Sequence, residues 1–311
     1  MLVPINTLFG INAPASITIE VGEINHPRIP AAENYIFSED FLRDFLGWNN
    51  MSDAFGGKEA MYIVGPTGSG KTSGVTQVAA RLRKPLYSVT AHSRMETPEL
   101  IGRFVVVNGS MKWADGPLTM AMKEGHWFLL NEFDYLDPAT AAGLNSVLEG
   151  NPLEIPETGE VVLAHPKFRF IATANTNGAG DMTGLYQGTL RQNIAAMDRF
   201  FITQVDYPTV EQETTILAAV AGILPTDIRN SMIQAANDIR GLFVAGEADV
   251  TLSIRTLCRW AKYAAMFQGS IQAKGGDPIR YAFDRALGYR TDTDARKVLH
   301  EVLQRTFGND N

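Results

Sequence analysis

The chain has 311 residues, 45% of them hydrophobic and 20% charged, a composition that excludes a disordered or collagen-like protein. Its 27 Lys and Arg residues against 34 Asp and Glu residues give a net charge of −7, which disfavours a protein that mainly coats nucleic acid. Cys258 is the single cysteine, no apolar run is long enough for a membrane span and no secretory signal is evident, so we expect a cytoplasmic protein.

The N-terminal part of the chain divides into two segments. Residues 1–34 contain four prolines and few periodic apolar positions, which predicts an extended, loop-rich leader. From Ser38, the segment SEDFLRDFLGWNN places its large apolar side chains on one helical face behind a serine N-cap. We therefore predict a helix that enters the core domain and is interrupted at Gly56-Gly57.

The middle and the C-terminal thirds of the chain differ in pattern. Between Ala60 and Phe201, short apolar runs alternate with helical stretches, which is typical of a parallel sheet covered by helices. After Pro208 the composition favours helices alone, over 211–222, 226–240, 252–268 and 277–305. The predicted fold class is therefore α/β with a following all-α subdomain, and the predicted domains are 1–34, 35–207 and 208–311.

Two β-hairpins are predicted within the α/β part. Phe104–Val107 and Ser110–Trp113 flank Asn108-Gly109, a pair that favours the positive φ angles of a type I′ turn. Leu153–Leu163 has a similar pattern around a Pro-Glu-Thr-Gly turn. Each hairpin is either a functional insertion or decoration of the sheet, and both interpretations stay open at this point.

A phosphate-binding loop follows the apolar run MYIV and precedes a helical stretch. Its residues fit the pattern G-x-x-x-x-G-K-[ST], in which glycines let backbone N–H groups approach phosphate, a lysine contacts the β- and γ-phosphates and a hydroxyl can bind Mg²⁺. The sequence therefore predicts binding of ATP or a related nucleotide. The residues predicted to contact the nucleotide are Gly65, Pro66, Thr67, Gly68, Ser69, Gly70, Lys71, Thr72 and Ser73.

An acidic strand end is expected beside such a loop, and the run HWFLL is followed by Asn131, Glu132 and Asp134. Glu132 is predicted to orient or deprotonate the attacking water. Asn131 stands where a metal-positioning Asp is expected, so Thr72 and Asn131 are the predicted Mg²⁺ ligands and hydrolysis is expected to be slow. Alternatively, Glu132 and Asp134 only cap the next helix.

The run FRFIAT ends in a polar segment at the same edge of the predicted sheet. Asn175 is our choice over Asn177 as the residue that holds the attacking water or senses the γ-phosphate. A turn-forming Asn is the alternative.

The order of these motifs resembles the MoxR-like group of AAA+ ATPases. Within that group the chain is similar to the CobS family, the ATPase subunits of aerobic cobaltochelatases, through ATANTNGAGDMTGLYQGTLRQNIAAMDRF at 172–200 and through motifs along nearly the whole chain. The resemblance implies a P-loop AAA+ core with two inserted hairpins and a helical lid. It also implies an ATPase that uses ATP and Mg²⁺.

Further implications concern assembly. The resemblance implies a homo-oligomeric, hexameric ring in which Arg199 is the arginine finger and Arg255 is the lid arginine that senses the γ-phosphate. It further implies a von Willebrand factor A-domain partner that the ATP cycle drives. The family normally has Asp where this chain has Asn131, which favours a second interpretation, a nucleotide-dependent scaffold with weak hydrolysis.

A nucleic-acid motor is a third interpretation, which the net charge of −7 and the absence of a Lys/Arg cluster in the sequence disfavour. The five histidines are scattered along the sequence, so we expect no metal-ligand cluster and do not expect this chain itself to hold cobalt.

Overall fold

The structure is a computed structural model, and it describes residues 1–23, 25–55, 59–181, 184 and 186–308. The interruption predicted at Gly56-Gly57 lies outside the described residues. Contacts divide the chain into two compact units, one formed by Met1–Pro66 with Gly70–Val205 and the other by Thr67–Ser69 with the chain from Asp206 onward.

The strands all belong to the first unit. They are β1 Leu2–Pro4, β2 Thr18–Glu20, β3 Ala60–Val64, β4 Leu86–Thr90, β5 Gly102–Val107, β6 Ser110–Asp115, β7 Trp127–Asn131, β8 Leu153–Ile155, β9 Glu160–Val162, β10 Arg169–Ala174 and β11 Phe200–Gln204. The α-helices of this unit are α1 Ile5–Phe9, α2 Glu39–Phe55, α3 Lys71–Leu82, α4 Thr97–Ile101, α5 Pro117–Glu124, α6 Pro138–Gly143, α7 Asn145–Leu148 and α8 Ile194–Met197.

A parallel sheet with the order β11-β3-β10-β7-β4 forms the centre of this unit, as the alternating pattern predicted. Its three inner strands, β3, β10 and β7, are buried on both faces. In β7, Phe128 and Leu130 pack into one apolar cluster while Trp127 and Leu129 pack into the other. This burial explains the uninterrupted apolar run, because neither face of the strand contacts water. The carboxyl ends of all five strands share one edge.

Both predicted hairpins are present. In the first, β5 and β6 pair antiparallel with Val107 opposite Ser110, and Asn108 and Gly109 have φ angles of 51° and 77°. Positive φ at both central residues is the type I′ geometry that the Asn-Gly pair predicts. In the second hairpin β8 pairs with β9, and Leu153 lies opposite Val162.

The N-terminal segment is more regular than predicted. Strands β1 and β2 pair antiparallel, and α1 lies between them in the chain. Phe9 and Ile19 are buried in the same apolar cluster as Phe41 and Phe45 of α2. The extended, loop-rich leader was therefore wrong in part, because its few apolar side chains are enough to pack short elements against α2.

The second unit is helical, with α9 Val210–Ala221, α10 Thr226–Val244, α11 Ile254–Gln272, α12 Pro278–Ala286 and α13 Thr293–Phe307. Trp260 is fully buried in its core and donates its indole N–H to the Ile279 carbonyl at 2.9 Å. The helical composition predicted over 277–305 is confirmed, and this range contains two helices, α12 and α13. The second begins after Asp292, whose side chain caps it by accepting from the amides of Asp294 and Ala295.

None of the described helices combines the length and the apolar character needed to cross a bilayer.

Candidate nucleotide-binding site

The phosphate-binding loop lies between the end of β3 and the start of α3. Gly68 and Gly70 have φ angles of 69° and 98°, in the left-handed region that favours glycine. Gly70 stands at the N-cap of α3, so the unpaired N–H groups of the first helical turn face the loop. This backbone fits a phosphate group, because a helix N-terminus supplies both donors and a favourable dipole.

Lys71 is the first residue of α3, and only 8% of its surface is exposed. Its Nζ donates to the carbonyls of Gly65 at 2.7 Å and Pro66 at 2.9 Å, and to Oδ1 of Asn175 at 3.0 Å. Burial lowers the pKa of Lys71 to about 8, although Glu132 and Asp134 act in the opposite direction. The amine is therefore held inside the loop by oxygen acceptors that phosphate oxygens can replace.

Asn175 connects this lysine to the acidic strand end. It follows β10, accepts from Lys71 through Oδ1, and donates through Nδ2 to Oε2 of Glu132 at 2.9 Å. The exposed Asn177 instead closes its own turn, because its Oδ1 accepts from the Ala179 amide at 3.2 Å. Of the two asparagines, Asn175 is the one that faces the phosphate-binding loop.

Glu132 directly follows β7 and has a φ angle of 57°, which few non-glycine residues adopt. Strained backbone of this kind clusters at functional sites, where surrounding contacts hold it in place. The Glu132 carboxylate belongs to the same network of side-chain hydrogen bonds as Asn175 and Lys71. The prediction that Glu132 only caps the next helix finds no support here, since Asp137 accepts from the Ala139 amide and caps α6.

Asn131 ends β7 and is almost fully buried. Its Oδ1 accepts from the hydroxyls of Thr72 at 2.7 Å and Thr173 at 3.3 Å. Its Nδ2 donates to Oγ of Ser88 at 2.9 Å and to the carbonyl of Val89 at 3.3 Å. Because a carbonyl can only accept, the Val89 contact requires a donor at this position and fixes the orientation of the amide.

Asp134 accepts hydrogen bonds that the sequence pattern did not predict. Its fully buried carboxylate accepts through Oδ2 from the amides of Asn175 and Thr176, each at 2.9 Å, and from the Thr176 hydroxyl at 3.1 Å. Burial raises the pKa of Asp134, while these hydrogen bonds lower it. Asp134 therefore ties the end of β10 to the segment after β7.

The two arginines predicted to belong to the site, Arg199 and Arg255, occupy different units. Arg199 stands between α8 and β11, and its Nε is 2.7 Å from Oε1 of Glu149 in the same chain. Arg255 is exposed in the first turn of α11, in the second unit. Of the remaining predicted contacts, Thr72 and Ser73 are exposed on α3.

Sequence reasoning missed Tyr35, whose hydroxyl donates to the carbonyl of Gly70 at 3.4 Å. Burial raises the pKa of this phenol to about 12. The histidines are scattered along the sequence, but the ring centroids of His26 and His126 lie 4.8 Å apart in the structure. No local pattern connects residues so distant in the sequence.

The donor set fits nucleotide with a divalent cation. Thr72 Oγ1 and Asn131 Oδ1 are neighbouring oxygens beside the first turn of α3, and hard cations such as Mg²⁺ prefer oxygen ligands. Asn131 supplies a carbonyl dipole where a carboxylate would supply a full charge.

Comparison with protein families matches residues 60–191 to the AAA domain of the dynein-related subfamily and residues 213–306 to the C-terminal family of CbbQ, NirQ and NorQ. The aerobic cobaltochelatase subunit CobS of Sinorhizobium sp is 33% identical over 296 residues, which cover 90% of this chain and 86% of that protein.

A second relative and a solved structure are also similar to this chain. Protein CbbQ of Hydrogenophilus thermoluteolus is 31% identical over 264 residues, 82% of this chain and 90% of that protein. A solved structure of a RuvB mutant from Thermotoga maritima matches with a TM-score of 0.51 and 16% identity, covering 91% of this chain and 76% of that one, which supports the fold alone.

Proposed function

The chain belongs to the MoxR-like AAA+ ATPases, with a C-terminal part of the CbbQ/NirQ/NorQ family, and from this membership we propose that it acts as a ring that remodels a partner complex. The observation that carries the proposal is the network in which Asn175 joins Lys71 to Glu132 at the carboxyl edge of the sheet. ATP hydrolysis at this site supplies the free energy for the partner's rearrangement.

The proposed chemistry follows from these positions. Lys71 contacts the β- and γ-phosphates, and Thr72 with Asn131 would hold Mg²⁺, which neutralises phosphate charge when bound. Asn175 orients a water whose oxygen attacks the γ-phosphorus as the bond to the β–γ bridging oxygen breaks. Glu132 accepts the proton that this water loses.

The proposed client is a chelatase of the cobalt-inserting type. Its support is the similarity to a cobaltochelatase subunit across 90% of this chain. In this proposal the chain forms a hexameric ring and drives a partner that carries a von Willebrand factor A domain. Arg199 completes the site of the neighbouring subunit and Arg255 senses the γ-phosphate.

A pull-down with the chain and a von Willebrand factor A-domain protein encoded beside it would test this proposal. Glu132→Gln should keep ATP bound and stop turnover, so it should retain the partner in ATP, whereas Lys71→Ala should not retain it. Partner capture that is equal for Lys71→Ala and Glu132→Gln would contradict ATP-dependent coupling. Absence of capture with both would contradict this class of partner.

A second candidate function, a nucleotide-dependent scaffold with weak hydrolysis, is favoured by the neutral side chain of Asn131 and its four hydrogen bonds. Steady-state phosphate release separates the two functions. A scaffold should assemble in ATP and capture the same amount of partner in the parent chain and in Glu132→Gln. A remodelling ATPase should instead release its partner from the parent chain as ATP is consumed.

A further inference from the structure

A second cluster of titratable side chains lies at the amino end of the sheet, whereas the nucleotide site lies at its carboxyl end. His126 immediately precedes β7, Glu124 ends α5, and His26 comes from the N-terminal segment. Each of these three side chains has a ligand atom that lies within 4.8 Å of a ligand atom of the other two. The nucleotide site uses none of these residues.

The position of His126 brings a buried ring nitrogen close to a carboxylate oxygen. Only 9% of the residue is exposed, and its Nδ1 is buried without a hydrogen bond, although it lies 2.8 Å from Oε2 of Glu124. Imidazole nitrogens are common metal ligands, and a buried polar atom without a hydrogen bond calls for a partner.

Surrounding residues hold the carboxylate and the buried ring. The Tyr87 hydroxyl donates to Oε2 of Glu124 at 2.7 Å, and the Tyr87 ring stacks on His126 with 6.0 Å between centroids. The Arg28 guanidinium lies over the Tyr87 ring, 4.0 Å from its centroid. Hydrogen bonds from outside the ligand set are what orient carboxylate ligands in metal sites.

We propose that His26, Glu124 and His126 bind a divalent transition-metal ion of the Zn²⁺ type, which fastens the N-terminal segment to the sheet. Two imidazoles and one carboxylate are ligands that Zn²⁺ accepts, with a fourth position left for water. Mg²⁺ prefers an all-oxygen shell, so this site and the nucleotide site select different ions.

The geometry requires an adjustment that the chain can make. Two ligand atoms bound tetrahedrally to one Zn²⁺ at about 2.1 Å lie about 3.4 Å apart, so the widest pair in the cluster must close by about 1.4 Å. His26 is half-buried and can supply this movement. Its Nδ1 accepts a long hydrogen bond of 3.2 Å from the Arg28 amide. This hydrogen bond would be lost if Nε2 binds the metal.

The test uses the untagged full chain, freed of metal by a chelator and titrated with Zn²⁺ in competition with a chromogenic chelator. We expect one equivalent bound per chain, retained in excess Mg²⁺. His26→Gln and Glu124→Gln should each weaken Zn²⁺ binding by about 10-fold or more. Tyr87→Phe should weaken it less, since it removes only the hydrogen bond to the carboxylate.

His92 provides a matched control, because its Nε2 lies 3.7 Å from Oε2 of Glu99 on an exposed surface. His92→Gln should leave Zn²⁺ binding unchanged. Zn²⁺ should also raise the midpoint of thermal unfolding and slow proteolysis before His26 in the parent chain and in His92→Gln, but not in His26→Gln.

Three results would overturn the proposal. They are a parent chain that binds no Zn²⁺ against the competing chelator, a His26→Gln variant that binds as tightly as the parent, and a His92→Gln variant that loses as much affinity as His26→Gln. The last two would assign the binding to surface histidines in general. Because His26 is half-buried and the substitution is small, the folded state should survive it, which circular dichroism and ATP binding would verify.

Discussion

At the scale of single residues, Lys71 is an amine whose charge depends on what occupies the loop. Burial lowers its pKa to about 8, against the opposing effect of Glu132 and Asp134. Phosphate contact requires the ammonium form. ATP affinity should therefore be nearly constant below about pH 7 and fall as pH rises through 8, by about 10-fold between pH 7 and pH 9.

Lys71→Arg is the control for this pH dependence, because a guanidinium stays charged over the whole range. Equilibrium binding of a fluorescent ATP analogue across the pH series would measure both proteins. The slope above pH 8 should be absent from Lys71→Arg, whatever its absolute affinity. An equal slope in both would assign the titration to another group.

Asn131 is a second residue whose neighbours determine what a substitution does. Asn131→Asp would remove the donor to Ser88 and place a carboxylate oxygen against the Val89 carbonyl. We expect the free energy of unfolding of the nucleotide-free chain to fall by about 1–3 kcal/mol, the cost of a buried acceptor left unsatisfied. With nucleotide bound, half-saturation by Mg²⁺ should move to a lower concentration, because the new charge faces the cation.

Denaturant unfolding and an ATPase assay across a Mg²⁺ titration would measure these two effects separately. Ser88→Ala is the matched control, since it removes one partner of the amide without adding charge and should leave the Mg²⁺ dependence unchanged. An Asn131→Asp protein with unaltered Mg²⁺ dependence would place Asn131 outside the metal's ligands.

At the scale of elements, Asp134 links the ends of β7 and β10. Asp134→Ala leaves the buried amides of Asn175 and Thr176 without their acceptor, so we expect the free energy of unfolding to fall by about 2–4 kcal/mol. Asp134→Asn keeps an acceptor oxygen and should lose less. Chemical denaturation measures the stability of both variants. If Asp134→Ala unfolds like the parent chain but its ATPase activity depends differently on Mg²⁺, Asp134 would instead be a metal ligand.

Local signals explain why parts of the fold and site could be predicted. The type I′ turn depends on Asn108 and Gly109 alone, and the phosphate-binding loop on a short run of glycines between an apolar strand and a helix. Each is specified by neighbours in the sequence, so each was found without knowledge of the rest of the chain.

Tertiary proximity explains what could not be predicted. The partners of Asn131 come from β4, β10 and α3, and depend on β7 lying between β10 and β4. His26 and His126 meet only because the N-terminal segment packs at the amino end of the sheet. No spacing rule reports such encounters, since the residues are separated by whole elements.

At the scale of the whole molecule, the proposed ring requires Arg199 to act on a neighbour's nucleotide. Within the chain this guanidinium pairs with Glu149 and also donates to the Ala195 carbonyl. Both members of the ion pair are partly exposed, 27% for Arg199 and 43% for Glu149. Such pairs contribute only about 0–1 kcal/mol, so the pairing does not prevent Arg199 from reaching a phosphate on another subunit.

If Arg199 acts between subunits, specific ATPase activity should rise with protein concentration and collapse in Arg199→Ala while ATP binding survives. Glu149→Ala frees the same guanidinium and should not lower activity, whereas a purely structural pair would make both variants fall together. Arg43→Ala is the matched control, because Arg43 is also an exposed arginine in an ion pair, with Asp40. The measurements are phosphate release and light scattering over a concentration series.

Mixed rings give the sharpest form of this test. Arg199→Ala chains bind ATP but lack the finger, and Lys71→Ala chains keep the finger but lose the nucleotide. Where a competent site of the first faces an intact arginine of the second, hydrolysis should return, although each protein alone is inactive. Mixed assembly would be verified by mass spectrometry of the intact complex. Mixed rings that stay inactive, or a monomer that is fully active at every concentration, would contradict the role of Arg199 between subunits.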